Sequence, residues 1–137
     1  MGLVSGTVGH RTARGRASLA VAGLFVASGV LHLVRPEAFD ELLPDFVPAS
    51  RAVNAVAGAV ELACAYGLVS GRWWGGPASA ATLLAVWPSN LAYAVRATRE
   101  RGATSPKALV AWARMPLQIP MVWAVLGPLE DRGRERP

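Results

Sequence analysis

Ala52-Val53-Asn54-Ala55-Val56-Ala57-Gly58-Ala59-Val60-Glu61-Leu62-Ala63-Cys64-Ala65-Tyr66-Gly67-Leu68-Val69-Ser70-Gly71 is an unbroken apolar run whose one charged side chain is Glu61. Crossing the hydrocarbon core of a bilayer takes about 20 mostly apolar residues in a helix, and this run is long enough. Three more runs lie on either side of it: Ala17 to Val34, Trp73 to Val95 and Ala108 to Leu129. Across all four, only Glu61 and Arg114 carry charge. The pattern predicts an all-α fold, an antiparallel transmembrane four-helix bundle with helices over 17–34, 53–71, 77–96 and 108–127. A basic tail over 1–16 and a charged tail over 130–137 flank it.

The charge distribution agrees with that reading. The chain has 137 residues, 53% of them hydrophobic, and a formal net charge of +5 that is almost wholly arginine, with Lys107 the only lysine. Mean hydropathy is +0.33 and the pI about 10.7. The arginines sit in tails and loops rather than along one face interleaved with aromatic readers, which argues against nucleic-acid binding. Cys64 is the single cysteine, so one chain can build no disulfide framework, cysteine metal cluster or CxxC redox pair.

The first run follows Arg11, Arg14 and Arg16, and its Val26-Ala27-Ser28 would suit a signal peptidase. Because the run continues to Val34 and three others follow, it reads as an uncleaved helix. The first loop, Arg35 to Arg51, is acidic and punctuated by Pro36, Pro44 and Pro48. Within it, Glu37 to Leu43 is expected to form about two turns of interfacial helix, with Phe39, Leu42 and Leu43 turned to the membrane surface. Trp73 and Trp74 suit the headgroup boundary. The third loop, Arg96 to Lys107, is basic. The amino-terminal arginines and acidic first loop favour cytoplasmic termini in the cell membrane, and the third-loop cations oppose them.

Polar groups inside a bilayer are costly, so each marks a candidate site. With a rise of about 1.5 Å per residue, Glu61 lies roughly 12 Å below the surface that bears the first and third loops. On that scale Arg114 lies about 9 Å deep, Asn90 about 8 Å, Gln118 about 15 Å and His32 about 3 Å. His32, Glu61, Asn90, Arg114 and Gln118 are therefore expected to form one polar cluster in one half of the membrane. The leading expectation is an ion pair between Glu61 and Arg114, read first as a static lock between helices and second as a proton or substrate site. Asn54, Gly58 and Glu61 share one helix face, and Ala55, Ala59, Ala63 and Gly67 form a separate small-residue stripe suited to close packing.

Pro88, Pro116 and Pro120 remove backbone donors, and Asn90, Gln118 or water are expected to satisfy the freed carbonyls. His32 reads as an interfacial hydrogen-bonding residue before a metal or haem ligand, and Cys64 as a packing residue before a reactive thiol. No nucleophile triad, phosphate-cradling glycine loop or metal-ligand cluster stands in the sequence, so no catalytic residues are assigned.

Gly29-Val30-Leu31-His32-Leu33-Val34-Arg35-Pro36-Glu37-Ala38-Phe39, continued by Leu43-Pro44 and Val47-Pro48, resembles the first signature of the DoxX family. Ala57-Gly58-Ala59-Val60-Glu61-Leu62, Trp87-Pro88-Ser89-Asn90-Leu91 and Arg114-Met115-Pro116-Leu117-Gln118 are similar to the three that follow. Leu33 stands where relatives often carry an aromatic, and Ala57 replaces a frequent serine. The resemblance implies a four-helix integral membrane protein, and some relatives serve quinone-linked or thiol-handling redox systems. Lacking a cysteine pair, this chain fits a thiol relay poorly. The expectation is a non-catalytic or redox-accessory membrane subunit in the lipid bilayer, with no cofactor evident from its residues, quinone as the one the resemblance allows, and a membrane redox partner or a second copy as its company. The alternative is a small proton- or cation-coupled carrier that uses Glu61.

Overall fold

A computed structural model describes the backbone over residues 4–48 and 50–134, and side chains over 15–48 and 50–127. The described residues form five helices and no strand: α1 (Val4–Val34), α2 (Glu37–Asp40), α3 (Ser50–Val69), α4 (Gly75–Arg101) and α5 (Pro106–Arg134). Two boundaries depart from expectation. α1 starts at Val4, inside the stretch read as a basic tail, because no proline interrupts the chain before Pro36. α5 runs through Gly127 and Pro128 into the charged tail, since a helix can kink at a proline and continue past it. The side chains of Arg11 and Arg14 lie outside the described residues.

The helix ends follow local chemistry. α3 stops at Gly71, whose φ of 65° suits a residue without Cβ. There the Arg72 amide bonds the Gly67 carbonyl at 2.9 Å and the Gly71 amide bonds Leu68 at 3.3 Å, a Schellman closure. α5 opens on Ser105-Pro106: the serine hydroxyl accepts from the Ala108 amide at 3.3 Å, and proline sits where a missing donor costs nothing.

Among the described residues, three segments are long and apolar enough to cross a membrane: Gly15–Val34, Ser50–Val69 and Pro106–Gly127. The fourth crossing expected over 77–96 is not among them. α4 is 27 residues long, yet Pro88, Ser89, Asn90 and Tyr93 dilute its apolar character. Large apolar side chains point outward from the helices, among them Leu24, Val56, Leu84, Leu117 and Ile119, as lipid contact requires and water would penalise.

α1 packs against α3 and α5, and α4 packs against α3 and α5, so α3 and α5 stand diagonally opposed. Val21, Phe25, Cys64, Leu83, Ala124 and Val125 fill an apolar core in the half remote from the first and third loops. Cys64 is buried there, with its Sγ 3.5 Å from the Thr82 hydroxyl. Close approach is set by glycines. A Cβ on Gly29 would lie 2.9 Å from the Gly58 carbonyl oxygen, and one on Gly58 would lie 2.8 Å from that of Gly29. Gly67 meets Gly75 in the same way between α3 and α4. The buried face of α3 is thus Asn54, Gly58, Glu61, Cys64 and Gly67. Ala55, Ala59 and Ala63 of the expected packing stripe face outward, because the polar residues and glycines need the interior more than alanines do.

The acidic first loop and the basic third loop meet at one end of the helices. Lys107 Nζ donates to Glu41 Oε2 at 3.0 Å, and Arg96 reaches Asp45 at 3.4 Å. The Lys107 ammonium holds the Glu41 carboxyl below the ordinary glutamate range. A carboxyl lowered on folding stabilises the fold above its unfolded pKa, and that contribution is lost as pH falls through the folded value. Acid melting curves should therefore show a loss at low pH that Glu41→Gln flattens, with the difference shrinking at high salt because the pair is exposed.

Candidate functional site

Below the first loop, α1 and α3 bring an imidazole and a carboxylate together. His32 Nε2 lies 4.0 Å from Glu61 Oε2, and each side chain keeps only 11% of its surface exposed. The Gly29–Gly58 crossing lets this happen, since the His32 Cβ lies where a side chain on residue 58 would go. Helical side chains lean toward the N-terminus of their own helix. The N-terminus of α1 is remote from the first loop and that of α3 adjoins it, so His32 leans inward while Glu61 leans outward, and the two converge. Backbone depths of about 3 and 12 Å overstate the distance between two members of the expected cluster because they ignore this tilt.

Three neighbours shape the pair. The Phe39 ring of α2 stacks on the His32 imidazole, with centroids 3.5 Å apart and planes at 17°. Phe39 therefore covers the site instead of turning to the membrane surface, and α2 is one turn, Glu37–Asp40, shorter than the two turns expected. Ser28 stands one turn before His32 on the same face of α1. Asn54, 1% exposed, donates from Nδ2 to the Pro36 carbonyl at 3.1 Å and to Asp40 Oδ1 at 3.2 Å. It ties the loop down over the pair. Removing both bonds with Asn54→Ala should cost about 1–3 kcal/mol, and it should speed amide exchange over residues 37–45 in a hydrogen-exchange measurement.

The pair is incompletely satisfied. His32 Nδ1 and Glu61 Oε2 are buried without a hydrogen-bond partner. Such groups are rare in folded proteins because an unmade buried hydrogen bond is expensive. They can take up a proton or a small polar ligand.

The other expected members lie elsewhere. Arg114 is exposed and forms no pair with Glu61; it lines a groove of about 340 Å³ with Glu41, Tyr93 and Lys107. The expected Glu61–Arg114 ion pair is thus absent for two reasons. α3 and α5 are diagonal to each other, and Arg114 leans toward the start of its own helix, out to the loop end. Gln118 is buried on α5 and donates to the Leu83 carbonyl of α4 at 3.3 Å, while its Oε1 has no partner. Pro88 deprives the next carbonyl along, that of Leu84, so Gln118 braces the proline turn one residue away from the expected acceptor. Asn90 is buried on α4, and no hydrogen bond or ion pair joins it, Arg114 or Gln118 to His32 or Glu61. The single five-residue cluster resolves into a His32–Glu61 pair, a Gln118 brace and an Arg114 groove.

Ser28, Phe39 and Tyr93 were not singled out from sequence as site residues. Ser28 was findable, since it shares a helix face with His32 at a spacing of four; Phe39 and Tyr93 depend on how α2 and α4 dock. Among the described residues no group of three His, Cys, Asp or Glu side chains is placed to hold a metal ion.

The family model described as a domain of unknown function, DUF8561, matches residues 21–127. That span contains the His32–Glu61 pair and the Arg114 groove. No curated protein and no solved structure matches the chain.

Proposed function

The chain belongs to the DUF8561 family, and we propose that it is a DoxX-like membrane protein that works as a non-catalytic, redox-accessory subunit through the His32–Glu61 pair. α4 is its fourth span, with both termini cytoplasmic in the cell membrane. The observation that carries the reading is the buried pair with open valences at His32 Nδ1 and Glu61 Oε2. Conserving energy alone would favour filling such a site with apolar groups, so a polar pair kept there suits a ligand with a hydrogen-bonding head and an apolar body. A quinone carbonyl is such a head: it accepts a hydrogen bond from an imidazole N–H, and its tail belongs in lipid. The Phe39 ring stacked on the imidazole would form one wall of the ligand's site.

Purification in mild detergent, with mass spectrometry of what accompanies the wild-type chain and Glu61→Gln, tests this. A quinone or a membrane redox subunit that is present with the wild type and lost in the variant supports it. A folded preparation that carries neither, and pulls down no membrane partner, sinks it.

The second reading is a proton- or cation-coupled carrier. It is favoured by the same unpartnered carboxylate oxygen, because a buried acid beside a histidine can exchange its proton. Reconstituted vesicles showing no Glu61-dependent flux would remove it.

A further inference from the structure

Arg114 lies within the Pro106–Gly127 segment, yet among the described residues no carboxylate comes within salt-bridge distance of it. The nearby acid is already taken, since Glu41 accepts from Lys107 at 3.0 Å. Arg114 lines a groove of about 340 Å³ whose other walls include Ala38, Leu42, Tyr93 and Val110. Val110 is 61% exposed, and Leu117, one turn deeper than Arg114, is 54% exposed, so the groove is continuous with an outward apolar face of α5. An always-ionised guanidinium at the edge of the hydrocarbon needs a counter-anion, and its fork matches a phosphate.

We propose that this groove binds an anionic phospholipid, with the headgroup phosphate on Arg114, the Lys107 ammonium beside it, and an acyl chain along Val110 and Leu117. The uncompensated cation selects net negative charge over a zwitterion, because Glu41 already balances Lys107 and a headgroup ammonium would leave Arg114 facing a second positive charge. The site is distinct from the His32–Glu61 pair. It rests on the membrane reading but not on any ligand of that pair.

The test measures binding of phosphatidylglycerol and phosphatidylcholine to the full chain in detergent by native mass spectrometry, with melting temperature as a second readout. The wild type should favour phosphatidylglycerol by roughly fivefold, the weight of one basic residue against an anionic lipid. Arg114→Gln should abolish the preference and Arg114→Lys should keep most of it. Should Arg114→Gln fail to fold, Val110→Trp, a substitution at an exposed position that fills the groove and spares the charge, should abolish it instead. Equal binding of the two lipids by the wild type, or a preference that survives both Arg114→Gln and Val110→Trp, overturns the proposal. Release of the chain from membranes by alkaline carbonate would instead overturn the membrane reading beneath it, so the two failures are separable.

Discussion

Gly58→Ala is expected to lower stability by about 1–3 kcal/mol in thermal or denaturant unfolding in detergent, the usual cost of overpacking a close contact. The added methyl would sit 2.8 Å from the Gly29 carbonyl oxygen and 2.9 Å from the His32 Cβ. Both are parts of the opposing helix that cannot swing aside, so α1 and α3 must separate. Separation also pulls His32 from Glu61, and the variant should lose whatever that pair binds. Gly23→Ala is the control. Nothing lies within 4 Å of a Cβ there, and alanine is the better helix former, so it should cost nothing. Equal losses at both positions would mean that the close crossing does not hold α1 to α3.

The second large effect separates the pair that formed from the pair that did not. In double-mutant cycles on unfolding free energy, His32→Ala with Glu61→Ala should show a coupling of about 0.5–3 kcal/mol, as residues in contact do. Glu61→Ala with Arg114→Ala should be additive within roughly 0.5 kcal/mol. The 4.0 Å approach of His32 and Glu61, their burial and the diagonal placement of α3 and α5 all point to this outcome. A charge-swapped Glu61→Arg, Arg114→Glu chain should be at least as damaged as the worse single variant. Strong coupling between Glu61 and Arg114 would reinstate the pairing expected from their depths.

Helical periodicity exposed part of the site before any fold was available. Asn54, Gly58 and Glu61 fall on one face at spacings of four and three, and that face is the buried one. The alanine stripe beside it was equally regular and turned outward. Small residues permit close packing but do not compel it, whereas a buried carboxamide and carboxylate gain partners only inside. That the first loop carries a short helix was legible in the sequence, though it is one turn where two were expected. Its direction was not, because the stacking of Phe39 on His32 depends on how α2 docks against α1.

The sequence by itself determined that the chain is helical and that long stretches of it suit a bilayer. Those follow from hydropathy, from chain length against membrane thickness, and from the absence of water to satisfy a backbone in lipid. Only the tertiary structure decided which polar groups meet. Partnership depends on the order of helices around the ring, on the tilt of each side chain toward its helix N-terminus, and on the two glycines that let α1 and α3 touch. None of these is a property of one segment. Each arises when one helix chooses the face of another, which is why His32 became the partner of Glu61 and Arg114 was left facing a groove.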